Sequence, residues 1–439
     1  MRMIFICYRH IFLSSGCPRG MGRLEDPDMR FLLLAVAALA IAASPAAERR
    51  VDRVLAKTPL VDGHNDLPWE IREKFGRWAM PLDLSRGTRP LQTDIPRLRA
   101  GGVGAQFWSV WIPSTFTGPA AIEATLEQID IVHELVRRYP RDFELAGTAA
   151  DIRRAHKAGR IASLIGIEGG HQIGNSPAAL RQFHALGARY MTLTHSQHND
   201  WADSATADPK LNGLSRFGLA IVKEMNRLGM MVDLSHVSPA VMKQAIAASR
   251  APVIFSHSGA RAIADHPRNV PDEVLRLLPA NGGVVMIVFY PGFLSEARMR
   301  WSAERDGEEA RLAALHRGDP DGKKAALDAW DNAHPPPPAT IADVIAHIEH
   351  VRRVAGIDHV GLGSDYDGIS GTHPEGMAGV EGFRPLLEAL AAKGWSEADL
   401  ARLAGGNILR AMEGAERAER GMREEAPLTA TIAEMDGPR

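Results

Sequence analysis

Cysteine is nearly absent from the chain: only Cys7 and Cys17 occur among 439 residues. Both precede an apolar run at 31–43, FLLLAVAALAIAA, which follows a basic residue and leads into small residues. A basic start, a short apolar stretch and small residues are typical of a secretory signal. We therefore expect residues 1–47 to be an N-terminal extension and signal peptide, with Met29 as the true start. The mature chain would then have no disulfide and no cysteine-based metal site.

An excess of charge of one sign is also missing, because 51 Lys and Arg residues are balanced by 53 Asp and Glu residues. This balance gives no electrostatic reason to expect nucleic acid or an anionic membrane surface as a partner. The apolar run would span about 20 Å as a helix, against about 30 Å for a hydrocarbon core. We expect an exported protein, periplasmic or secreted, with no membrane anchor once the signal is removed.

Several catalytic signatures are absent as well. The sequence has no G-x-S-x-G motif for a nucleophilic serine and no H-E-x-x-H motif for a helix-borne zinc protease. It also has no glycine-rich phosphate loop after its first apolar run, which argues against an open, doubly wound sheet.

Eight short apolar runs alternate with amphipathic, helix-like segments after residue 50. Most of the runs are continuously apolar, as expected of strands that are buried on both faces of a parallel sheet. The alternation predicts a (β/α)8 fold, the TIM barrel. The predicted strands lie at 58–63, 104–111, 161–167, 190–194, 229–235, 251–256, 282–290 and 359–364.

The barrel pattern predicts one domain at 48–420, followed by a C-terminal tail at 421–439. A polar segment at 294–338 interrupts the pattern between the seventh and eighth strands and ends in four prolines. We interpret this segment as an insertion. A lid, a surface for a partner and a solvated decoration without a role are all compatible with its sequence.

Ionisable residues are concentrated where the predicted strands end. These ends share one face of a closed barrel, so their side chains converge. His64 and Asp66 are two residues apart, so on an extended strand they would point to the same side. Imidazole and carboxylate ligands suit zinc, and five of them fit two ions that share a bridging carboxylate. The candidate ligands are His64, Asp66, Glu168, His236 and His257.

Seven sequence blocks resemble the membrane (renal-type) dipeptidase family, peptidase family M19, in collinear order from about residue 51 to 415. The resemblance implies a bacterial-type exported enzyme with a TIM barrel and two zinc ions per chain. Such an enzyme hydrolyses dipeptides with an L- or a D-residue at the C-terminal position, using a hydroxide that bridges the metals. The blocks are VDGHNDLPW (61–69), GIEGGHQ (166–172), YMTLTHSQHNDWAD (190–203), DLSHVS (233–238), APVIFSHSGARAI (251–263), RNVPD (268–272) and GLGSDYDG (361–368).

The resemblance also implies how the five candidate ligands divide between the ions. His64 and Asp66 would bind the first zinc, and His236 and His257 the second. Glu168 would bridge the two ions and so take part in catalysis.

Four further residues match family positions that handle the substrate. His195 would contact the substrate and stabilise the oxyanion, and Asp365 would carry a proton from water to the leaving amine. Arg268 would hold the substrate's free carboxylate, which an arginine can grip through two parallel hydrogen bonds. Trp69 would line the pocket.

Alternative functions stay open at this point. An amidohydrolase that acts on N-acyl-D-amino acids or lactams would also use Arg268 for a carboxylate, so the sequence separates it poorly from a dipeptidase. A catalytically silent metal-binding relative would usually lack a ligand or Asp365, and none of these is missing. Small dipeptides are the expected partners, and the resemblance implies a noncovalent homodimer.

Overall fold

The computed structural model of the chain describes residues 44–76, 82–88, 91–369 and 371–437. Residues 1–43 of the predicted signal segment, including the proposed start at Met29, lie outside the described residues, whereas its last three residues, 45–47, begin the helix Pro45–Leu55. Within the described residues, no helix combines the length and the apolar character needed to cross a membrane.

Eight parallel strands close into a barrel, which confirms the TIM-barrel prediction. Strand β2 pairs with both β1 and β4 and so closes the sheet, while β3 pairs only with the start of β4. The strands are β1 Leu60–Asn65, β2 Val103–Trp111, β3 Phe143–Leu145, β4 Ile161–Glu168, β5 Ala188–Thr192, β6 Met231–Asp233, β7 Ile254–Ser258, β8 Val284–Ile287 and β9 Val360–Leu362.

Strand β3 was not predicted, although each of the eight predicted strands overlaps an observed one. Its three residues include Glu144 at the centre, and only Phe143 is buried. A strand this short, with one buried side chain, leaves no apolar run in the sequence.

Helices alternate with the strands, as the amphipathic segments between the apolar runs predict. Ser176, Ser215 and Ser238 each accept a backbone N–H at a helix start, as preferred N-terminal residues do. The α-helices are α1 Pro45–Leu55, α2 Leu67–Phe75, α3 Ile95–Gly101, α4 Gly118–Arg138, α5 Ala149–Lys157, α6 Pro177–Ala185, α7 Arg216–Leu228, α8 Pro239–Ala248, α9 Asp272–Leu275, α10 Leu278–Asn281, α11 Pro291–Leu294, α12 Glu296–Leu315, α13 Pro320–Ala333, α14 Ile341–Ala355, α15 Phe383–Ala392, α16 Glu397–Ala401, α17 Asn407–Met422 and α18 Ile432–Asp436. Single turns of 3-10 helix lie at Gly170–Ile173, Ile357–His359 and Val380–Gly382, and a π-helical turn at Arg402–Gly406.

The barrel interior is packed with strand side chains, among them Phe107, Leu164 and Tyr190. The Tyr190 ring lies against Gly166 of β4, where an added Cβ would be only 2.0 Å from the ring carbon Cζ. A side chain at this position would displace the ring. This packing fixes the place of the Tyr190 hydroxyl.

The predicted insertion contains the two helices α12 and α13, which are joined to each other by ion pairs. Arg305 donates to Asp331 at 2.8 and 2.9 Å, and the Lys323 ammonium lies 2.8 Å from Glu309. Leu312 is buried in α12, and no residue of α13 is buried. Ion pairs and the contact between the rings of Trp301 and Trp330, whose centroids are 6.0 Å apart, hold the two helices together.

The predicted C-terminal tail packs against helix α7. Leu428 N donates to Glu224 at 3.2 Å, and Phe217 N donates to Asp436 at 3.2 Å. Helix α17 extends to Met422, so the tail begins within the last turn of that helix.

His347 on α14 links two loops at the end of the barrel that carries the predicted site. Its Nδ1 accepts from Ala260 N at 2.8 Å, and its Nε2 donates to Leu294 O at 3.0 Å. Burial lowers the pKa of His347 to about 4. Folding therefore keeps this ring neutral at pH values where an exposed histidine, with a pKa of about 6.5, takes up a proton.

We expect His347 to make stability fall as the pH drops. Between about pH 6.5 and 4 the unfolded chain binds a proton that the folded chain does not. The free energy of unfolding therefore falls by up to about 1.4 kcal/mol for each unit that the pH drops. His347→Gln should flatten the pH dependence of the unfolding free energy by that slope, measured by urea denaturation from pH 7 to 4.5. His334→Gln, on the exposed insertion, is the matched control. An unchanged slope in His347→Gln would contradict this.

Candidate metal and catalytic site

Glu168, at the end of β4, lies at the centre of the predicted ligand set. Its Oε1 is 3.0 Å from His236 Nε2 and 3.4 Å from His257 Nε2. Its other oxygen, Oε2, is 3.3 Å from His64 Nε2. The side chains are almost entirely buried. One carboxylate thus faces a histidine on one side and a pair of histidines on the other.

Asp66 completes the group on the His64 side. Its position does not come from the strand alternation that the sequence suggested. Asp66 Oδ2 lies 3.3 Å from His64 Nε2, so the two side chains are neighbours as predicted. However, β1 ends at Asn65, and Asp66 has φ −95° and ψ 18° at the start of α2. The turn into the helix, and not strand alternation, places the carboxylate.

The donor set fits divalent metal ions. Nitrogen and oxygen atoms of His64, Glu168 and His257 lie within 4.8 Å of one another, as do those of Glu168, His195 and His236. Among the described residues, His64 Nε2 is buried and has no hydrogen-bond partner. Buried nitrogens are normally satisfied, so an orphan nitrogen between two carboxylates indicates a ligand position.

The electrostatics of Glu168 and His236 favour the protonation states that bind a metal, whereas the pKa of His64, which burial alone would lower, is raised well above its ordinary value by Tyr190, Glu168 and Asp66. Burial alone would raise the pKa of Glu168, but His64, His236 and His195 hold it well below its ordinary value. Burial, aided by Arg268, lowers the pKa of His236 well below its usual range. An ionised carboxylate and a neutral imidazole are the forms that coordinate a metal.

Asp365 lies beside the ligands with its backbone in a left-handed conformation, φ +66°. Its N–H donates to His64 O at 3.1 Å, which ties the end of β9 to β1. Burial raises the pKa of Asp365 well above its usual range; His64 opposes the rise, and the charges of Asp66 and Glu168 add to it. A carboxylate whose pKa is raised is a stronger proton acceptor than an ordinary aspartate, which suits a general base.

Gly368 packs directly against two carboxylates. An added Cβ would lie 2.2 Å from Asp66 Oδ2 and 2.7 Å from Asp365 Oδ1. Only glycine therefore leaves both side chains in place.

We expect Gly368→Ala to lower kcat by about 10²-fold, the cost of displacing reacting groups by about 1 Å. Steady-state kinetics and metal content on the same sample would measure the effect. Gly307→Ala, at an open position on α12, is the matched control. Normal kinetics for Gly368→Ala would show that the contact does not constrain the carboxylates.

A cavity of about 410 Å³ opens above the ligands, within the size range of small-molecule sites. The predicted residues that handle substrate all line it. The lining residues are Asp66, Trp69, Glu70, Glu73, Trp111, Glu168, His195, His236, Arg268, Tyr290, Phe293, Asp365, Asp367, Gly368, Ile369 and Thr372.

Arg268 provides a fixed cation in this cavity. It is 2% exposed, and its Nη2 donates to His257 O at 3.3 Å. Its Nε and Nη1 have no hydrogen-bond partner among the described residues. Burial lowers the pKa of Arg268 to about 10, so the guanidinium stays charged at neutral pH. Unused donors on a buried cation can bind a carboxylate through charge-assisted hydrogen bonds.

His195 and two tryptophans form the opposite side of the site. His195 Nε2 is 3.8 Å from Glu168 Oε1, and its ring centroid is 5.4 Å from that of Trp111. Trp69 meets Trp111 edge to face at 4.6 Å. Burial lowers the pKa of His195, which favours a neutral ring with one N–H to donate.

Three aromatic residues that share this cavity with Trp69 were not predicted from the sequence. Trp111 ends β2, and Tyr290 and Phe293 follow β8. The strand-end argument, applied to aromatic as well as ionisable residues, would have found all three. Asp367 was also missed; burial raises its pKa to about 7.

Comparison with known proteins places these motifs in a family. A family model described as "Membrane dipeptidase (Peptidase family M19)" matches residues 48–426. Dipeptidase verJ of Clonostachys rogersoniana is 41% identical over 383 residues, which cover 85% of this chain and 88% of the relative.

Solved structures agree with this match. The probable dipeptidase PvdM from Pseudomonas aeruginosa superposes with a TM-score of 0.72 and 25% identity, covering 85% of this chain and 99% of that one. A metallo peptidase from Rhodobacter sphaeroides, solved with a phosphinate mimic of L-Ala-D-Ala, has a TM-score of 0.66 and 25% identity, covering 82% and 99%.

Proposed function

The chain belongs to the membrane dipeptidase family, peptidase family M19, and from this premise we propose that it is a two-zinc dipeptidase that accepts L- and D-residues at the C-terminal position. The observation that carries the proposal is the position of Glu168. Its two oxygens face separate histidine groups at 3.0 to 3.4 Å, as expected of a carboxylate that bridges two ions.

In this proposal, His64 and Asp66 would hold one zinc ion, His236 and His257 would hold the other, and Glu168 would be a ligand shared by the two. Imidazole and carboxylate ligands are the usual zinc donors of catalytic sites. When bound, two such ions polarise a carbonyl and activate water for attack.

Protein side chains then position the dipeptide and move its protons. Arg268 holds the C-terminal carboxylate through guanidinium N–H groups that have no partner among the described residues. His195 donates to the oxygen of the scissile carbonyl as negative charge develops on it. Asp365 accepts a proton from the attacking water and passes it to the leaving amine.

A D-residue at the C-terminal position is supported by the Rhodobacter sphaeroides relative, which was solved with a mimic of L-Ala-D-Ala. Export to the periplasm or the medium stays a prediction from the apolar run at 31–43, to be tested by N-terminal sequencing of the exported protein. The noncovalent homodimer likewise stays a prediction, to be tested by light scattering.

We expect Arg268→Ala to raise KM for dipeptides by about 10- to 100-fold, the value of a hydrogen bond to a charged group. kcat should change less, because the arginine binds the substrate away from the scissile bond. Kinetics with L-Ala-D-Ala would measure both constants. Arg261→Ala, a partly exposed arginine outside the cavity, is the matched control. An unchanged KM would rule out the carboxylate role.

The proposed function is tested by hydrolysis of L-Ala-D-Ala and L-Ala-L-Ala, with metal content determined on the same purified sample. Two equivalents of zinc and cleavage that a chelator abolishes are the expected result. Two equivalents of zinc without cleavage of either dipeptide would indicate another amide, such as an N-acyl-D-amino acid or a lactam. A folded sample that binds no zinc and cleaves nothing would be a silent relative.

A further inference from the structure

Two buried hydroxyl groups contact the histidine nitrogens that face away from Glu168. Tyr190 Oη lies 2.8 Å from His64 Nδ1, and Ser256 Oγ lies 2.8 Å from His257 Nδ1. Both hydroxyl-bearing residues are fully buried. Each histidine would belong to a different zinc ion, so the two contacts serve separate halves of the proposed centre.

The direction of the Ser256 hydrogen bond is determined by Asp233. Ser256 Oγ lies 2.6 Å from Asp233 Oδ2. The same carboxylate accepts from Ser256 N at 2.8 Å, Ser235 N at 3.1 Å and Thr192 Oγ1 at 2.5 Å, so it acts only as an acceptor. A hydroxyl has one proton. Ser256 therefore donates to Asp233 and accepts from His257 Nδ1–H.

The direction of the Tyr190 hydrogen bond follows from a carbonyl in the same way. Tyr190 Oη lies 3.1 Å from Gly63 O, which can only accept. Tyr190 therefore donates its proton to Gly63 and accepts from His64 Nδ1–H. The packing of the Tyr190 ring against Gly166 holds the hydroxyl at this point.

Because Nδ1 of each ring carries a proton, Nε2 is the nitrogen left to coordinate a metal. The Nε2 atoms of His64 and His257 are the ones that face Glu168, at 3.3 and 3.4 Å. We propose that Tyr190 and Ser256 are positioning residues that hold His64 and His257 in the Nε2-ligating form, one for each metal. This inference rests on the proposed function, because it assigns the two histidines to separate ions.

The third histidine ligand is oriented differently. His236 has φ +67°, and its Nδ1 has no hydrogen-bond partner among the described residues. Its carbonyl instead accepts from Ala205 N at 2.7 Å and Thr194 Oγ1 at 3.2 Å. The backbone thus places this ring, whereas hydroxyl groups orient the other two.

Thr192 offers a control that separates positioning from general stability. Its hydroxyl donates to the same Asp233 oxygen as Ser256 does, but within the described part of the chain it accepts from no histidine. Thr192→Val and Ser256→Ala therefore both remove one buried hydrogen bond to Asp233. Only Ser256→Ala also removes the partner of His257 Nδ1.

The test is calorimetric titration of the metal-free full chain with zinc, for the wild type, Tyr190→Phe, Ser256→Ala and Thr192→Val. Loss of such an outer hydrogen bond typically weakens metal binding 10- to 100-fold. We expect each of Tyr190→Phe and Ser256→Ala to weaken one of two binding steps by about that factor, a different step in each case. Thr192→Val should leave both steps unchanged.

A second measurement determines which nitrogen of the His257 ring carries the proton. In histidine-labelled, metal-free protein, ¹⁵N NMR should show His257 with its proton on Nδ1 in the wild type and in Thr192→Val. The proton should be shared between the two nitrogens in Ser256→Ala. This readout depends neither on bound metal nor on activity.

Three results would overturn the inference. The first is that Tyr190→Phe and Ser256→Ala both bind zinc with wild-type affinity. The second is that Ser256→Ala and Thr192→Val lose zinc affinity equally. The third is that His257 carries its proton on Nε2 in the wild type. A wild-type protein that binds two zinc ions but cleaves no dipeptide would contradict the proposed function and leave the positioning role intact. A wild-type protein that takes up no zinc would contradict both.

Discussion

Asp365→Asn is expected to lower kcat for L-Ala-D-Ala by about 10²- to 10⁴-fold, the usual contribution of general acid–base catalysis. Asparagine keeps the size of the side chain and tolerates the left-handed backbone at φ +66°. It cannot accept a proton from water, so only proton transfer is lost. Zinc content should stay at the wild-type level.

The measurement is kcat at saturating dipeptide, together with zinc content of the same sample. Asp265→Asn, at an exposed carboxylate whose side chain is 79% exposed, is the matched control and should have wild-type kinetics. A fully active Asp365→Asn enzyme would contradict the proton-transfer role. Loss of zinc would instead make Asp365 a ligand.

Glu168→Gln is expected to lose its bound zinc and to lower activity by at least about 10³-fold, because metal assistance is worth several kcal/mol. Glu168 contacts His64, His236 and His257 at once, and no other described carboxylate does so. A neutral amide cannot replace a bridging carboxylate between two cations.

The measurement for Glu168→Gln is zinc per chain after dialysis, followed by kinetics with added zinc. Glu224→Gln is the matched control, because Glu224 is a buried carboxylate paired with Arg181 and Arg227 away from the cavity. Glu224→Gln should keep its zinc even if its stability falls. Two zinc ions in active Glu168→Gln enzyme would contradict the bridging role.

The barrel could be predicted because its strands are buried on both faces and therefore read as continuous apolar runs. The positions of His64, Glu168, His236 and His257 then followed from one rule, that parallel strands end on a common face. The position of Asp66 did not follow from the extended-strand argument, because the local turn that begins α2 determines it.

The parts that escaped prediction depend on contacts between distant strands. Tyr190 read as an ordinary strand residue, since nothing near it in the sequence shows that its hydroxyl meets His64 on another strand. Ser256 is adjacent to the predicted ligand His257 in the sequence, but its hydrogen bond to Nδ1 of that ring was not predicted. The register between strands, which a single sequence does not encode locally, decides the contact of Tyr190 with His64.

The most direct test of a two-metal hydrolytic centre is stepwise addition of zinc to the metal-free enzyme, with L-Ala-D-Ala hydrolysis measured at each step. The positions of His64, Asp66, Glu168, His236 and His257 predict that activity reaches its maximum only when two equivalents are bound. Full activity with one equivalent, or without any metal, would contradict the account.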